Sequence, residues 1–518
     1  MELRAPGILP KRELYFVLSA LMLGMLLAAL DATIVSTALP TIVGDLHGAN
    51  HLSWVVVAYL LASTVSTPLW GKLGDLHGRK VYFIAAIVIF LVGSMLCGFA
   101  QNMMELILFR AIQGLGGGGL MVGAQAVIAD VVPPRERGRY SGLFGAVFGA
   151  ATVLGPLLGG FIVEYWSWRW IFFVNVPFGI VALAVTAAAL PNAGVRKQHV
   201  IDYAGIITLT IAASSFILFT SLGGSSLAWG SWKSIALFLA GVVFTIAFIM
   251  IERRSSEPVL PPSLFANRVF SSASAIGFVV GFAMFGAMTF LPLYFQDVHG
   301  ASPTNSGLRL LPMMVGLFSA SIIVGQLVVK GWRYRPFPIA GTAVMTIGIG
   351  LLGTIGVTTS TVVTGVYMLI LGVGIGLVMQ ILITAVQNAV NPADVGAATA
   401  GSNFFRSIGG SFGTAVFGAI FTNELPRQLA AGLKSSHYSG TLPPASQWTP
   451  TKLRSLPAQA LDVIVHAISS SISHIYLLAI PVGVVAVLLS LTLPEVKLRT
   501  SLHPVADEIP LSNADPTL

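Results

Sequence analysis

The chain holds 518 residues, of which 55% are apolar and only 9% charged, with a formal net charge of +8. A soluble domain carries roughly 25% charged residues, so this composition excludes a soluble globular protein. Its 28 lysines and arginines are too thinly spread to neutralise a phosphate backbone, which excludes a nucleic-acid-binding face and leaves them as orientation charge on membrane loops. A single cysteine, Cys97, rules out an intrachain disulfide and a CxxC metal or redox motif.

A bilayer-crossing helix takes about 20 apolar residues. Such stretches lie near 15–40, 53–71, 81–100, 105–129, 140–163, 170–190, 203–222, 234–251, 272–295, 306–329, 337–357, 361–390, 396–421 and 473–493. The expected fold is an all-α polytopic membrane protein with fourteen spans. The first stretch runs on into Asp31 and Pro40 without a small-residue cleavage pattern, so it reads as a span and not a signal peptide. With a cytoplasmic N-terminus, nineteen lysines and arginines fall on the cytoplasmic side and six on the other, the remaining three, Arg110, Arg309 and Arg406, lying within or at the edge of spans. That asymmetry predicts both termini inside and an even number of spans.

Within span 1, Asp31 stands fifteen residues past Phe16, about 22 Å along a helix, which puts a carboxylate inside the membrane. The loop after span 2 reads Gly71-Lys72-Leu73-Gly74-Asp75-Leu76-His77-Gly78-Arg79-Lys80, a glycine-punctuated turn with both charge signs. Span 4 carries Arg110 and Gln113 ahead of Gly114 and Gly116; an arginine there is costly and calls for a cavity or a partner. Span 5 carries Gly145, Gly149, Gly155, Pro156, Gly159 and Gly160, small residues for close helix approach and a proline that permits bending. Asp130, Glu164, Asp202 and Asp297 fall at span ends, where solvation or capping accounts for them.

The chain also repeats. An offset of 258 brings Pro134, Glu136, Gly138 and Gly155 onto Pro392, Asp394, Gly396 and Gly413, and Gly114, Gly116 and Gly118 onto Gly372, Gly374 and Gly376. Spans 4 and 5 thus correspond to spans 12 and 13, eight apart instead of six. The simplest account is a six-helix half over 1–200, an inserted helix pair over 201–252, a second half over 253–494 and a disordered cytoplasmic tail over 495–518.

The loop around Asp75 and the stretch from Arg110 to Gly116 resemble signatures of the major facilitator superfamily, and the span 5 glycines resemble the signature of its proton-exchanging exporters. Leu30-Asp31-Ala32-Thr33, Trp168-Arg169-Trp170 through Asn175-Val176-Pro177, and Leu291-Pro292-Leu293-Tyr294 look like the fourteen-span drug:proton antiporters of the QacA and EmrB type, over about residues 14–421. The resemblance implies that Asp75 sits against the N-terminus of a second-half helix, which the repeat assigns to span 13 near Gly396. It further implies a gating role for Gly71, Gly74, Asp75, Gly78, Arg79 and Lys80. Leu76 departs from the pattern, in which a basic residue follows the acid.

The resulting expectation is proton-coupled export of amphipathic drugs or toxic small molecules across a bacterial inner membrane, with Asp31 and Arg110 in proton coupling. Candidate substrate contacts are Gln113, Phe278, Phe282, Phe285 and Tyr294; helix or lipid packing is the alternative reading of the phenylalanine stripe. Span 13 carries Phe404-Phe405-Arg406-Ser407 and no carboxylate, which argues against a dication site. The outward loop near 422–472 is expected to hold a short surface helix over Leu461–Ile472. No HExxH, GxSxG or nucleotide-binding pattern occurs, so no enzyme, metal or cofactor is expected. A dedicated exporter of one metabolite or antibiotic, and a non-transporting membrane sensor, remain the alternatives.

Overall fold

The computed structural model describes residues 10–46, 52–190, 201–223, 227–436 and 456–498. Its first-half helices are α1 (Lys11–Asp45), α2 (Leu52–His77), α3 (Arg79–Phe99), α4 (Met103–Val131), α5 (Pro134–Tyr165), α6 (Trp170–Phe173) and α7 (Asn175–Ala189). Then come α8 (Tyr203–Leu222) and α9 (Trp232–Glu252). The remainder comprises α10 (Pro262–Ala266), α11 (Arg268–Leu293), α12 (Pro303–Leu308), α13 (Leu311–Val329), α14 (Pro336–Leu352), α15 (Thr361–Ala389), α16 (Val395–Ser436) and α17 (Ala458–Leu491).

Among the described residues, twelve helical segments are long and apolar enough to cross a membrane. The shorter α14 and the glycine-rich α5 stand where the other two spans were expected, so count and structure agree to within those two helices. Local chemistry sets several boundaries. Asn102 accepts the Glu105 N–H at 2.9 Å while Glu105 accepts the Gln101 N–H at 2.8 Å, a reciprocal cap that starts α4. Asp202 accepts the Gly205 N–H at 2.7 Å and starts α8.

The wiring of the two halves repeats. α2 and α3 pack on α4 as α13 and α14 pack on α15, and α1 packs on α5 as α11 packs on α16. Glycine makes these crossings close: a Cβ at Gly93 of α3 would stand 2.5 Å from Gln113 Cα of α4. Between the halves, α2 meets α16 and α5 meets α13. The α8 helix lies against both α2 and α16, and α9 packs on α8 while exposing Ile235, Leu239, Val243, Ile246 and Met250.

Two expectations need correction. The segment 422–472 is not mainly loop, because α16 continues to Ser436 and α17 already starts at Ala458; positions 437–455 lie outside the described residues. At 42 and 34 residues, these helices measure about 63 and 51 Å, well beyond a hydrocarbon core of about 30 Å. The polar end of α16 escaped a hydropathy reading although its leucine, alanine, glutamine and lysine favour helix there. The expected surface helix over Leu461–Ile472 is simply the first part of α17. The tail also begins ordered: Tyr334 donates to Pro494 O at 2.6 Å and accepts from Val496 N at 3.0 Å. Residues 499–518 lie outside the described part.

The α1 and α5 crossing gives a direct test. Thr33 Oγ1 donates to Ala151 O at 3.0 Å, and a Cβ at Gly155 would collide with the same threonine, whereas a Cβ at Gly160 would meet nothing within 4 Å. Gly155→Val should therefore cost about 1–3 kcal/mol by overpacking and cut the yield of monodisperse protein. Gly160→Val should leave that yield near wild type. Size-exclusion chromatography in detergent checks both, and equal yields would contradict this crossing.

Candidate functional site

Five helices of the first half converge on one buried polar cluster. Asp31, near the middle of α1, is fully buried. Its Oδ2 accepts Arg110 Nη1 at 2.6 Å, and its Oδ1 accepts Gln113 Nε2 at 2.8 Å and Asn175 Nδ2 at 3.2 Å. Arg110 and Gln113 lie three residues apart and so share one face of α4; Arg110 Nη1 also donates to Gln113 Oε1 at 2.8 Å. Beneath the guanidinium, the Tyr59 ring of α2 lies 4.3 Å away. From α7, Asn175 donates to Ser94 Oγ of α3 at 3.0 Å, and Ser94 in turn donates to Phe172 O at 2.8 Å.

Guanidinium does not deprotonate in proteins, so Asp31 serves Arg110 as its counter-charge. Removing one member of such a buried pair typically costs about 3–5 kcal/mol, because the survivor is left charged and unpaired. The cluster thus ties α1 to α4 electrostatically while α2, α3 and α7 supply dipoles. Ser94, which holds Asn175, and Tyr59, which lies under Arg110, were not legible as members of this cluster; Asn175, a polar residue opening an apolar span, was the one available signal.

A second cluster joins the halves. Asp75 accepts the backbone N–H groups of Gly396 at 3.0 Å and Ala397 at 2.8 Å, at the N-terminus of α16. Unpaired N–H groups and the helix dipole favour an anion there. Arg79 bridges Asp75 at 3.0 Å and Asp130 at 2.6 Å, so Asp130 does more than cap a span end. Gly78 turns the chain from α2 into α3 with φ of 95°, a left-handed conformation that suits glycine. Gly71 lets α2 touch α16: a Cβ there would stand 2.5 Å from Ala400 Cβ. Gly74 packs beside Arg79, and Lys80 is half-buried at the start of α3.

Further bonds between the halves lie at the same end. Arg137 Nη1 donates to Gln387 Oε1 at 3.2 Å, Gln387 Nε2 to Gln125 O at 3.2 Å, and Asn403 Nδ2 to Gln125 Oε1 at 2.6 Å. Arg137 had been counted only as orientation charge, and nothing in the sequence signalled the amides. Of the span 5 glycines, Gly155 and Gly159 are buried and Gly160 is half-buried; the surroundings of Gly145, Gly149 and Pro156 lie outside the described part.

Most of the expected substrate contacts are occupied elsewhere. Gln113 is fully buried and donates to Asp31, so in this conformation it positions the carboxylate. Tyr294 is fully buried, donating to Gly356 O at 2.8 Å with His299 Nε2 at 3.0 Å. Phe278 and Phe282 pack toward α16, 6.1 Å from the Phe412 ring and 5.5 Å from the Phe417 ring, respectively. The stripe is a helix-packing seam with Gly409 and Gly413 opposite it. Phe285 belongs to the same seam but keeps 38% exposure. Among the described residues, no three His, Cys, Asp or Glu gather into a metal site.

A family model described as Major Facilitator Superfamily matches residues 21–203 and 195–414. The chain is 45% identical over 499 residues to an uncharacterized MFS-type transporter of Mycobacterium tuberculosis, covering 96% of this chain and 72% of that protein. It is 37% identical over 493 residues to the multidrug transporter protein MdtP of Bacillus subtilis, covering 91% of this chain and 90% of that protein. The crystal structure of the human organic anion transporter MFSD10 superposes with a TM-score of 0.62 at 12% identity, covering 92% of this chain and all of that one, a likeness of fold. With its all-helical fold and these matches, the chain belongs to the major facilitator superfamily and is a multi-pass membrane transporter, not an enzyme.

Proposed function

We propose that this transporter exports amphipathic small molecules by alternating access, driven by protons that exchange at Asp31. The carrying observation is the fully buried pair of Asp31 and Arg110 at 2.6 Å, a carboxylate and guanidinium contact at the heart of the first half. Export of drugs is supported by the multidrug name of the B. subtilis relative. The distribution of lysine and arginine supports cytoplasmic termini, which puts Asp75 and the bonds between the halves on the cytoplasmic side. On this reading residues 1–200 and 253–494 are the moving halves, and α8 with α9 forms the inserted pair riding on α2 and α16.

The chemistry follows from charge balance. Protonating Asp31 while Arg110 stays in place would strand a buried cation, so the proton loads only when the pair opens. Loading from outside and release to the cytoplasm moves substrate outward. One proton descending 100 mV yields about 2.3 kcal/mol, and one pH unit adds about 1.4 kcal/mol. Together these sustain a gradient of roughly several hundredfold for a neutral substrate. Asp75, Gly71, Gly74, Gly78, Arg79 and Lys80 form the cytoplasmic gate, closed while Asp75 holds the start of α16.

Asp31→Asn should abolish uphill efflux from everted-vesicle assays while leaving downhill movement, and Asp31→Glu should keep part of it. Because Asn leaves Arg110 unpaired, the double variant Asp31→Asn with Arg110→Gln serves as the charge-balanced control, folded yet uncoupled. Proton-driven efflux at wild-type rate in either Asn variant would defeat the assignment.

The gate has its own test. Losing the charged acceptor at Asp75 weakens two hydrogen bonds to the α16 N-terminus and should shift the closed population by roughly tenfold. In an Asp75→Asn background, a cysteine placed by Ala400→Cys, buried against Gly71, should react faster with a polar maleimide; native Cys97 is buried and adds little background. Unchanged labelling with unchanged transport would reduce the segment to a positively charged hairpin.

A further inference from the structure

We propose that Arg406 makes the transporter favour substrates bearing an anionic group, a carboxylate or sulfonate on an amphipathic body; this rests on the export reading above. With the start of α16, held by Asp75, taken as the cytoplasmic edge, Arg406, eleven residues past Val395 and about 16 Å along the helix, falls near the middle of a hydrocarbon core about 30 Å thick. At that depth its side chain cannot reach a lipid headgroup. Arg110 is neutralised by Asp31, but Arg406 has no carboxylate close enough to pair with it among the described residues. Its side chain is half-buried.

A guanidinium held in the bilayer interior needs a counter-charge or water. Among the described residues none supplies that charge, which leaves the position open to an anionic group on the cargo. The surroundings fit. Arg406 Cγ lies 3.1 Å from where a Cβ of Gly281 would stand, so its stem rests on α11. One turn along α11, Phe285 covers Gly410, itself one turn beyond Arg406, and keeps 38% exposure. One turn earlier on α16, Asn403 keeps a buried Oδ1 with no donor, an acceptor suited to a hydroxyl or amide N–H on the same ligand. A planar fork for the anion, an exposed aromatic ring and a free acceptor thus stand along one line.

The test is transport into everted vesicles of carboxyfluorescein, an anion, against ethidium, a cation, under the same proton gradient. Wild type should move both. Arg406→Gln should lower carboxyfluorescein transport by roughly tenfold or more, the scale of losing a desolvated charge partner, while ethidium transport is kept. Arg406→Lys should retain an intermediate share of the anion, and it carries the test if the Gln variant is not monodisperse. An unchanged anion-to-cation ratio in a folded Gln or Lys variant would overturn the proposal. Wild type that moves ethidium but no carboxyfluorescein would overturn it while leaving export intact, and wild type that moves neither dye would overturn the export reading itself.

Discussion

The lipid interior penalises an unpaired charge, and the two ionic clusters built on Asp31 and Asp75 are arranged around that constraint. Asp31 and Arg110 enter the bilayer as a pair, with Gln113 and Asn175 satisfying the remaining carboxylate oxygen. Asp75, buried where the two halves meet, is matched by helix N–H groups on one side and by Arg79 on the other. Because each charge is held by a different helix from its partner, helix positions and charge states cannot change independently. That linkage is what a coupled transporter requires of its scaffold.

The two clusters differ in what they can gate. The Asp31 cluster lies wholly within the first half, so its opening alters the packing of α1, α4 and α7 without touching the second half. The Asp75 cluster and the amide bonds of Gln125, Gln387 and Asn403 cross between the halves. They are hydrogen bonds to backbone or neutral groups, each worth roughly 1–3 kcal/mol, and can be remade within one transport cycle. Close helix crossings supply the rigidity between them. Gly93 against Gln113, and Gly155 against Thr33, fix the two helices that carry the charged pair.

How much of this was legible follows from the physics of each residue. Spans, repeat and the place of Asp75 beside Gly396 could be read because hydropathy, glycine register and loop charge are local patterns. Partners such as Ser94, Tyr59 and Gln125 could not, since a single polar side chain in an apolar span points nowhere until the helices are packed. The bonds that Gln113 and Tyr294 make here could not be read for the same reason: polarity within a span marks a constraint but does not say whether another side chain or a ligand meets it. The extension of α16 was missed because its polar end outruns the membrane, where hydropathy gives no signal, whereas the first part of α17 was expected as helix but as a separate surface element.

If protons exchange for substrate at the Asp31 pair, as proposed above, binding of substrate must displace the proton. Purified protein in weakly buffered detergent, mixed with substrate and followed by a pH indicator, reports this directly. The wild-type chain should release protons on binding substrate, and the charge-balanced Asp31 and Arg110 double variant should release none. Substrate binding without proton release at any pH, or equal release from both proteins, would contradict it.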